Sequence, residues 1–242
     1  MLNGHGRLLG KRRIGVEVDG TQVMEVRAKH IILATGARAR DLPTMEADGK
    51  QIWNYRHALL ADVIPKRLLV VGSGAIGMEF SSFFNTLGSE VTVVEVQDRI
   101  LPLEDEEISA MAHAAFEKQG MHILTNVEVQ DLTKTEVDVK ATLKMGDVKD
   151  QNITVDRVIM AVGIIGNVEG LGLENTKVKV DLGHVEVEQW QATNEPDVYA
   201  IGDLTAPPWL AHKASHEGVI CVEKIAEVAD VHPLEPMTVS YT

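Results

Sequence analysis

The chain has 242 residues, a formal net charge of −13 at pH 7, 45% apolar residues and 24% charged residues. This length can bury one large core or two small ones, and the negative charge argues against nucleic acid or an anionic membrane as a partner. No apolar run approaches a membrane span and no secretory signal opens the chain, which favours the cytoplasm or an organelle matrix. Cys221 is the only cysteine, so the sequence excludes an intrachain disulfide.

The first part of the chain predicts β-structure. Residues 14–26 alternate around Asp19-Gly20, a pair typical of a type I′ hairpin turn because both turn residues need positive φ. A short β-rich run follows at 28–34. Prolines then punctuate a mixed stretch that continues to residue 64.

The middle of the chain has the order of a dinucleotide-binding βαβ unit: an apolar strand at 68–71, a glycine-rich turn, a helix, and a strand that ends at Glu95. Gly72 permits the tight turn, and Gly74 lets the backbone approach a pyrophosphate. Gly77 permits close packing of the helix on the sheet. The phosphates would lie on the N-terminus of the helix.

Glu95 stands about twenty residues beyond the glycines, where a carboxylate can accept hydrogen bonds from both hydroxyls of an adenosine ribose. Such an acid disfavours a 2′-phosphate, so the predicted cofactor is NAD rather than NADP. Arg99 is the counter-argument, since a nearby arginine can accommodate that phosphate. A purely structural turn is the alternative to a nucleotide site. The residues of the predicted NAD site are Gly72, Ser73, Gly74, Ala75, Ile76, Gly77 and Glu95.

Two helices are predicted to pack on this sheet. The first follows Gly77 and ends at Gly88, with an apolar flank of Phe80, Phe83, Phe84 and Leu87. The second covers 106–119, and its predicted core face consists of Ile108, Met111, Ala112, Ala115 and Phe116.

Further strands and a helix are predicted along the rest of the chain. Residues 122–124 predict a third parallel strand, and alternation over 126–145 indicates an antiparallel excursion. A buried strand is predicted at 155–162, another at 198–201, and a helix at 210–229.

Three separated motifs resemble those of the pyridine nucleotide-disulfide oxidoreductases, flavoproteins built from two interleaved dinucleotide-binding folds. The motifs are Ala34-Thr35-Gly36, the turn 72–79, and the segment 193–203 that ends in Gly202-Asp203. Within that family, 98–102 and 210–218 resemble the dihydrolipoyl dehydrogenases. The resemblance implies an α/β fold, with a Rossmann-like parallel sheet, an antiparallel β-meander and a partial FAD-binding fold.

The resemblance also implies three segments. Residues 1–40 would be the end of an FAD-binding fold, with the hairpin and the Ala-Thr-Gly turn. Residues 41–163 would form the NAD-binding domain. Residues 164–242 would return to the FAD fold and begin the linker to a dimerisation domain that this sequence lacks.

Further site residues are carried over from the resemblance. On the flavin side, Thr35 and Gly36 would close the FAD fold beside its phosphates, and Asp203, after Gly202, would accept a hydrogen bond from the ribityl chain. The main chain running past the isoalloxazine would be that of Leu210, Ala211 and His212. On the nicotinamide side, Glu79 would pair with a lysine beside the flavin, and the Gly163 backbone would lie along the nicotinamide half of NAD.

The departures from the family predict that this chain is inactive alone. In the family, dihydrolipoamide reduces a cysteine pair, the pair reduces FAD, and FAD passes hydride to NAD. The family's first glycine-rich FAD turn and its cysteine pair are not found in this sequence, so the FAD site is predicted to be incomplete. Cys221 is predicted to be a core residue. The segment 232–235 is spaced too tightly for the family's catalytic His-Glu, so no catalytic residue is predicted.

Alternatives remain at this point. The chain could be a stand-alone NAD-binding module, or part of a glutathione-type, mercuric or NADH-oxidising reductase. The polar cluster of His212, Lys213 and His216 is interpreted as solvated or flavin-adjacent rather than metal-binding. For the parent enzyme, the resemblance implies a homodimer and a 2-oxoacid dehydrogenase complex as partner.

Overall fold

A computed structural model describes residues 1–146 and 148–234 of the chain. The chain forms two compact units, one over Ala39–Ile164 and one over Met1–Arg38 together with the described residues from Ile165 onward. Within the described ranges, no helix combines the length and apolar character that crossing a membrane requires.

Seventeen strands and four α-helices are present in the described residues. The strands are β1 His5–Gly10, β2 Arg13–Val18, β3 Thr21–Arg27, β4 Ile31–Leu33, β5 Ala37–Ala39, β6 Ile52–Trp53, β7 Arg67–Val71, β8 Glu90–Val94, β9 His122–Leu124, β10 Glu128–Lys134, β11 Val139–Met145, β12 Val148–Val155, β13 Arg157–Met160, β14 Ile164–Gly166, β15 Val180–Asp181, β16 His184–Val185 and β17 Val198–Ala200. The helices are α1 Tyr55–Leu59, α2 Ala75–Thr86, α3 Glu106–Lys118 and α4 Ala211–Ile225, with short 3-10 turns at Leu173–Asn175 and Gly202–Leu204.

A five-stranded parallel sheet in the order β6-β13-β7-β8-β9 organises the unit Ala39–Ile164. Its central strands are apolar on both faces, as strands covered on either side must be, and Leu68, Leu69 and Val91 are fully buried. The chain steps from β7 to β8 to β9 and then returns to the other side of β7. The predicted parallel sheet, with its third strand at 122–124, is confirmed.

The antiparallel excursion is also confirmed, as the sheet β10-β11-β12. Its inward side chains Val139, Ala141 and Leu143 are fully buried and share a hydrophobic cluster with Leu69 of β7. The buried strand predicted at 155–162 is shorter than expected. Its first residue belongs to β12, and β13 covers only Arg157–Met160.

The predicted helices exist, but the core face predicted for α3 was partly wrong, and the apolar flank of α2 is only partly buried. Phe84 is buried, whereas Phe83 and Leu87 are 54% and 45% exposed, and on α3 Ile108 and Met111 are 53% and 64% exposed. A sheet covers only one stripe of each helix. On α3 that stripe includes Ser109, which is buried because its hydroxyl donates to the Ile100 carbonyl at 2.5 Å, a polar contact that apolar periodicity does not report.

The other unit contains the antiparallel sheet β1-β2-β3 and the parallel pair β4-β17. The predicted hairpin turn is confirmed, with φ of 50° at Asp19 and 75° at Gly20. Strand β1 was not predicted. The helix predicted to reach residue 229 ends at Ile225, because the chain leaves the helix at Glu227, whose φ is 56°.

One surface ion pair joins the starts of β7 and β13. Arg67 donates to the Asp156 carboxylate from Nε at 3.2 Å and from Nη2 at 2.7 Å, and the backbone amides of Lys66 and Arg67 donate to it as well. Partial burial by itself would raise the pKa of the Asp156 carboxyl. The hydrogen bonds outweigh this effect and hold that pKa below its usual value.

Asp156→Asn is therefore expected to destabilise the protein at pH 7 by about 1 kcal/mol, a modest value because the pair is partly exposed. A carboxyl with a lowered folded-state pKa stabilises above its unfolded pKa, and this contribution disappears as pH falls through the folded pKa. Urea unfolding from pH 7 down to pH 3 should show the difference from wild type shrinking below about pH 4. Asp62→Asn, at an exposed position of the same unit, is the control; an equal loss there would contradict the assignment.

Candidate functional site

The glycine-rich turn lies at the carboxyl end of β7, beside β13, where the strand order of the sheet reverses. Open α/β sheets bind ligands at such a switch point. Gly72 has a φ of 97°, and a side chain there would strike the Ala161 carbonyl oxygen. A side chain at Gly77 would strike the carbonyl oxygen of Gly72. Both glycines are therefore required by close backbone packing, as the sequence predicted.

Gly74 differs from these two glycines. Its φ of −66° suits any residue, and a Cβ atom built on it would meet no atom within 4 Å. It is the N-cap of α2, and no side chain caps that end. By contrast, Asn54 caps α1 and Asp105 caps α3. The first amides of α2 thus have no side-chain cap, and a Cβ atom at Gly74 would meet no neighbouring atom, an arrangement suited to a phosphate.

Glu95 lies at the same edge, directly after β8, and it is buried at 6% exposure. Its Oε2 accepts hydrogen bonds from Ser73 N at 2.9 Å and from Ser73 Oγ at 2.7 Å, and its Oε1 accepts from Gln97 N at 2.9 Å. The acid and the glycine turn therefore form one structure. Because a carboxylate offers about four acceptor positions, one remains, and a second ribose hydroxyl would have to replace the Ser73 hydroxyl.

Three other predicted residues of this unit lie around or beyond the turn. Gly163 follows β13 with a φ of 102°, and Arg40 donates from its amide to the Gly163 carbonyl at 3.0 Å and from Nη2 to the Val162 carbonyl at 2.5 Å. Glu79 is exposed on α2. Arg99, the counter-argument to NAD, has Nη1 4.0 Å from Asp98 Oδ1.

In the other unit, the predicted Thr35-Gly36 turn is held by Asn167, a residue that sequence reasoning missed. Thr35 Oγ1 donates to the Asn167 carbonyl, and Asn167 Nδ2 donates back to the Thr35 carbonyl, both at 2.9 Å. Asn167 N donates to the Gly36 carbonyl at 2.9 Å. Arg38 joins this loop by a bidentate ion pair with Glu169 at 2.7 and 2.9 Å. Because these partners are about 130 positions apart in the chain, no local sequence pattern could have predicted the contacts.

A cavity of about 440 Å³ opens beside this turn. Its walls combine apolar side chains from β1, β2 and β4 with polar groups at Thr35, Asn167 and Glu169. A mostly apolar pocket with a few polar groups is the usual form of a small-molecule site.

The remaining predicted residues lie after β17 and in the first turn of α4. Gly202, with a φ of 73°, opens the 3-10 turn that carries Asp203. Leu210 is the N-cap residue of α4 and makes no side-chain capping bond, while Ala211 and His212 are exposed in its first turn.

The structure corrects the interpretation of the polar cluster at the start of α4. His212 and His216 are exposed, but Lys213 is buried at 6% exposure and pairs with Glu217. The Lys-Glu spacing of four residues was the signal available in the sequence. Over residues 1–146 and 148–234, no group of three or more His, Cys, Asp or Glu side chains is placed to hold a metal ion.

Cys221 is fully buried in α4, which confirms its prediction as a core residue. Burial, with the nearby charge of Glu188 acting in the same direction, raises the pKa of its thiol to about 11. In the folded chain a thiol with this pKa is ionised to only about one part in a thousand at pH 8. We expect no reaction with a disulfide reagent over an hour for the folded chain, and one thiol per chain after denaturation in guanidinium. A rapid reaction of the folded protein would contradict this.

The family model for the pyridine nucleotide-disulphide oxidoreductases matches residues 4–218. The chain belongs to this family. A dihydrolipoyl dehydrogenase from Rhizobium etli is 53% identical over 208 residues, which are 86% of this chain and 43% of that protein. One from Zymomonas mobilis is 45% identical over 239 residues, 99% of this chain and 51% of that protein. This chain thus spans about half the length of these relatives.

Solved structures share the fold of this chain. The crystal structure of LpdA from Mycobacterium tuberculosis aligns with a TM-score of 0.86 at 31% identity, covering 96% of this chain and 51% of that one. The flavoprotein disulfide reductase RclA from Escherichia coli aligns with a TM-score of 0.81 at 23% identity over 97% and 52%, which shows a shared fold alone. The resemblance of the sequence motifs to this family and to its dihydrolipoyl dehydrogenases is confirmed.

Proposed function

We propose that this chain is the NAD-binding part of a dihydrolipoyl dehydrogenase and contributes one side of an FAD site. The observation that carries the NAD assignment is the junction of Glu95 with the uncapped end of α2, where the carboxylate is 2.9 Å from Ser73 N. Glu95 would accept from the adenosine ribose, the first amides of α2 would bind the pyrophosphate, and the Gly163 backbone would lie along the nicotinamide. Arg99 is the weaker signal because it stands four residues beyond Glu95, in the segment 98–102 that resembles the dihydrolipoyl dehydrogenases.

The FAD assignment is supported by the other unit. Thr35 and Gly36 would lie beside the flavin phosphates, Asp203 would bind the ribityl chain, and the main chain at 210–212 would run along the ring. FAD, when bound, supplies the hydride-transfer chemistry. The role of these residues is to bind and orient it. The mostly apolar cavity of about 440 Å³ beside Thr35 supports a small-molecule site in this unit.

The parent enzyme would oxidise dihydrolipoamide with NAD as acceptor, as a homodimer in the cytoplasm that serves a 2-oxoacid dehydrogenase complex. The 242 residues of this chain include one cysteine, Cys221, and it is buried. A dithiol relay needs two sulfurs that reach bonding distance. We therefore expect this chain by itself not to oxidise dihydrolipoamide.

Calorimetry on the purified chain tests the proposal. NAD should bind one site per chain, and NADP should bind at least about tenfold more weakly because the Glu95 carboxylate repels its 2′-phosphate. A folded chain that shows no saturable heat with NAD would contradict the assignment. Tight stoichiometric flavin in the purified protein would contradict the incompleteness of the FAD site.

A further inference from the structure

A buried ion pair on α4 underlies the segment that carries Asp203. Lys213 Nζ is 2.6 Å from Glu217 Oε1, and the two side chains are 7% and 4% exposed. Both lie on the helix face that also buries Cys221. Burying two charges is costly unless further hydrogen bonds satisfy their remaining donors and acceptors. The contacts of this pair therefore indicate what it does.

Each partner holds one end of the segment that begins at Gly202. Glu217 Oε2 accepts a hydrogen bond from Gly202 N at 2.7 Å. Lys213 Nζ donates to the carbonyl of Ala206 at 3.0 Å. The ion pair thus bridges the two ends of the segment 202–206, which contains the 3-10 turn with Asp203.

Other contacts hold the interior of the same segment. The Gly202 carbonyl accepts from Thr205 N and from Thr205 Oγ1, each at 2.9 Å. The Asp203 carbonyl is 3.1 Å from His184 Nδ1, and Trp209 Nε1 donates to the Thr205 carbonyl at 3.0 Å. The backbone of Asp203 therefore has little freedom as long as both ends stay anchored.

We propose that Lys213 and Glu217 are positioning residues, which fix the Gly202 amide and thereby the direction in which Asp203 is presented to its ligand. An apolar pair of the same size could fill the space under the segment. It could not accept from an amide at one end and donate to a carbonyl at the other. The identity of the ligand as the flavin ribityl chain rests on the proposed function; the positioning itself does not.

Amide hydrogen exchange followed by NMR on the full chain, with no cofactor added, tests the proposal. The measured quantity is the exchange rate of Gly202 relative to that of Ala200 in β17, which corrects for changes in overall stability. Lys213→Met with Glu217→Leu removes both charges and the acceptor, and should raise this ratio about tenfold. Glu217→Gln alone keeps an acceptor oxygen for the Gly202 amide and keeps the Lys213 hydrogen bond to Ala206, and it should hold the ratio within about threefold of wild type.

Cys221→Ala is the matched control, because it removes a buried side chain from the same face of α4 without touching Gly202. It should lower the melting temperature and leave the exchange ratio unchanged. The proposal is overturned if the leucine variant leaves the ratio unchanged, or if glutamine fails to restore it. Wild type provides a test that needs no variant: a Gly202 amide without protection, or without scalar coupling to the Glu217 carboxyl carbon, also overturns it.

The proposed function is tested separately from the positioning role of Lys213 and Glu217. NAD titration of the same samples reports on the unit Ala39–Ile164 and should be equal in wild type and in all three variants. Loss of NAD binding in wild type would refute the proposed function while the exchange ratios would still decide the positioning role.

Discussion

Gly74→Ala is expected to weaken NAD binding by about ten- to hundredfold while leaving the fold intact. A methyl group at this N-cap position would enter the open space where the pyrophosphate is proposed to lie, and overpacking a fitted site costs about 1–3 kcal/mol. In the free protein the same methyl meets no atom within 4 Å, and the φ of −66° is acceptable for alanine. Isothermal calorimetry for NAD and thermal unfolding of the free protein measure the two effects.

Gly77→Ala is the matched comparison, because it lies three positions along the same turn and has the opposite defect. Its methyl group would strike the Gly72 carbonyl oxygen and approach Ala161 Cβ to 3.3 Å. This variant should lose about 1–3 kcal/mol of stability, with a melting temperature several degrees lower. If Gly74→Ala binds NAD as wild type does, the phosphate is not at the end of α2.

The second large effect is expected at Glu95. Glu95→Gln keeps the size of the side chain but removes its charge, and a hydrogen bond to a charged acceptor contributes about 1.5–3 kcal/mol. We expect the Kd for NAD to rise about ten- to hundredfold and the preference for NAD over NADP to shrink. Titration with both nucleotides, each under conditions where circular dichroism shows a folded chain, measures this.

Ser73→Ala distinguishes a binding role of Glu95 from a structural one. The substitution removes the hydroxyl that occupies Glu95 Oε2 and retains the Ser73 backbone amide, which donates to the same oxygen. It therefore frees an acceptor position for the ribose, and NAD affinity should be unchanged or higher. A parallel loss of NAD affinity in Ser73→Ala and Glu95→Gln would mean that the acid only braces the turn.

The sequence predicted well wherever a local pattern reports a backbone requirement. Asp19-Gly20 indicates a turn with two positive φ angles, and the spacing of Gly72 and Gly77 indicates close contact of a helix with a strand. Residues set by tertiary contacts were not predictable. Asn167 is bonded to Thr35 across 132 positions, and the burial of Ser109 depends on the Ile100 carbonyl. Apolar periodicity therefore identified α3 but assigned part of its core face wrongly.

The unit Ala39–Ile164 begins and ends at neighbouring points, since the amide of Arg40 donates to the carbonyl of Gly163 at 3.0 Å. A compact unit whose first and last residues are adjacent can be expressed alone, or inserted into a loop of another protein, without distortion of the backbone at its two ends. A recombinant protein of residues 39–164 should therefore fold by itself, with the Gly72–Gly77 turn and Glu95 already assembled.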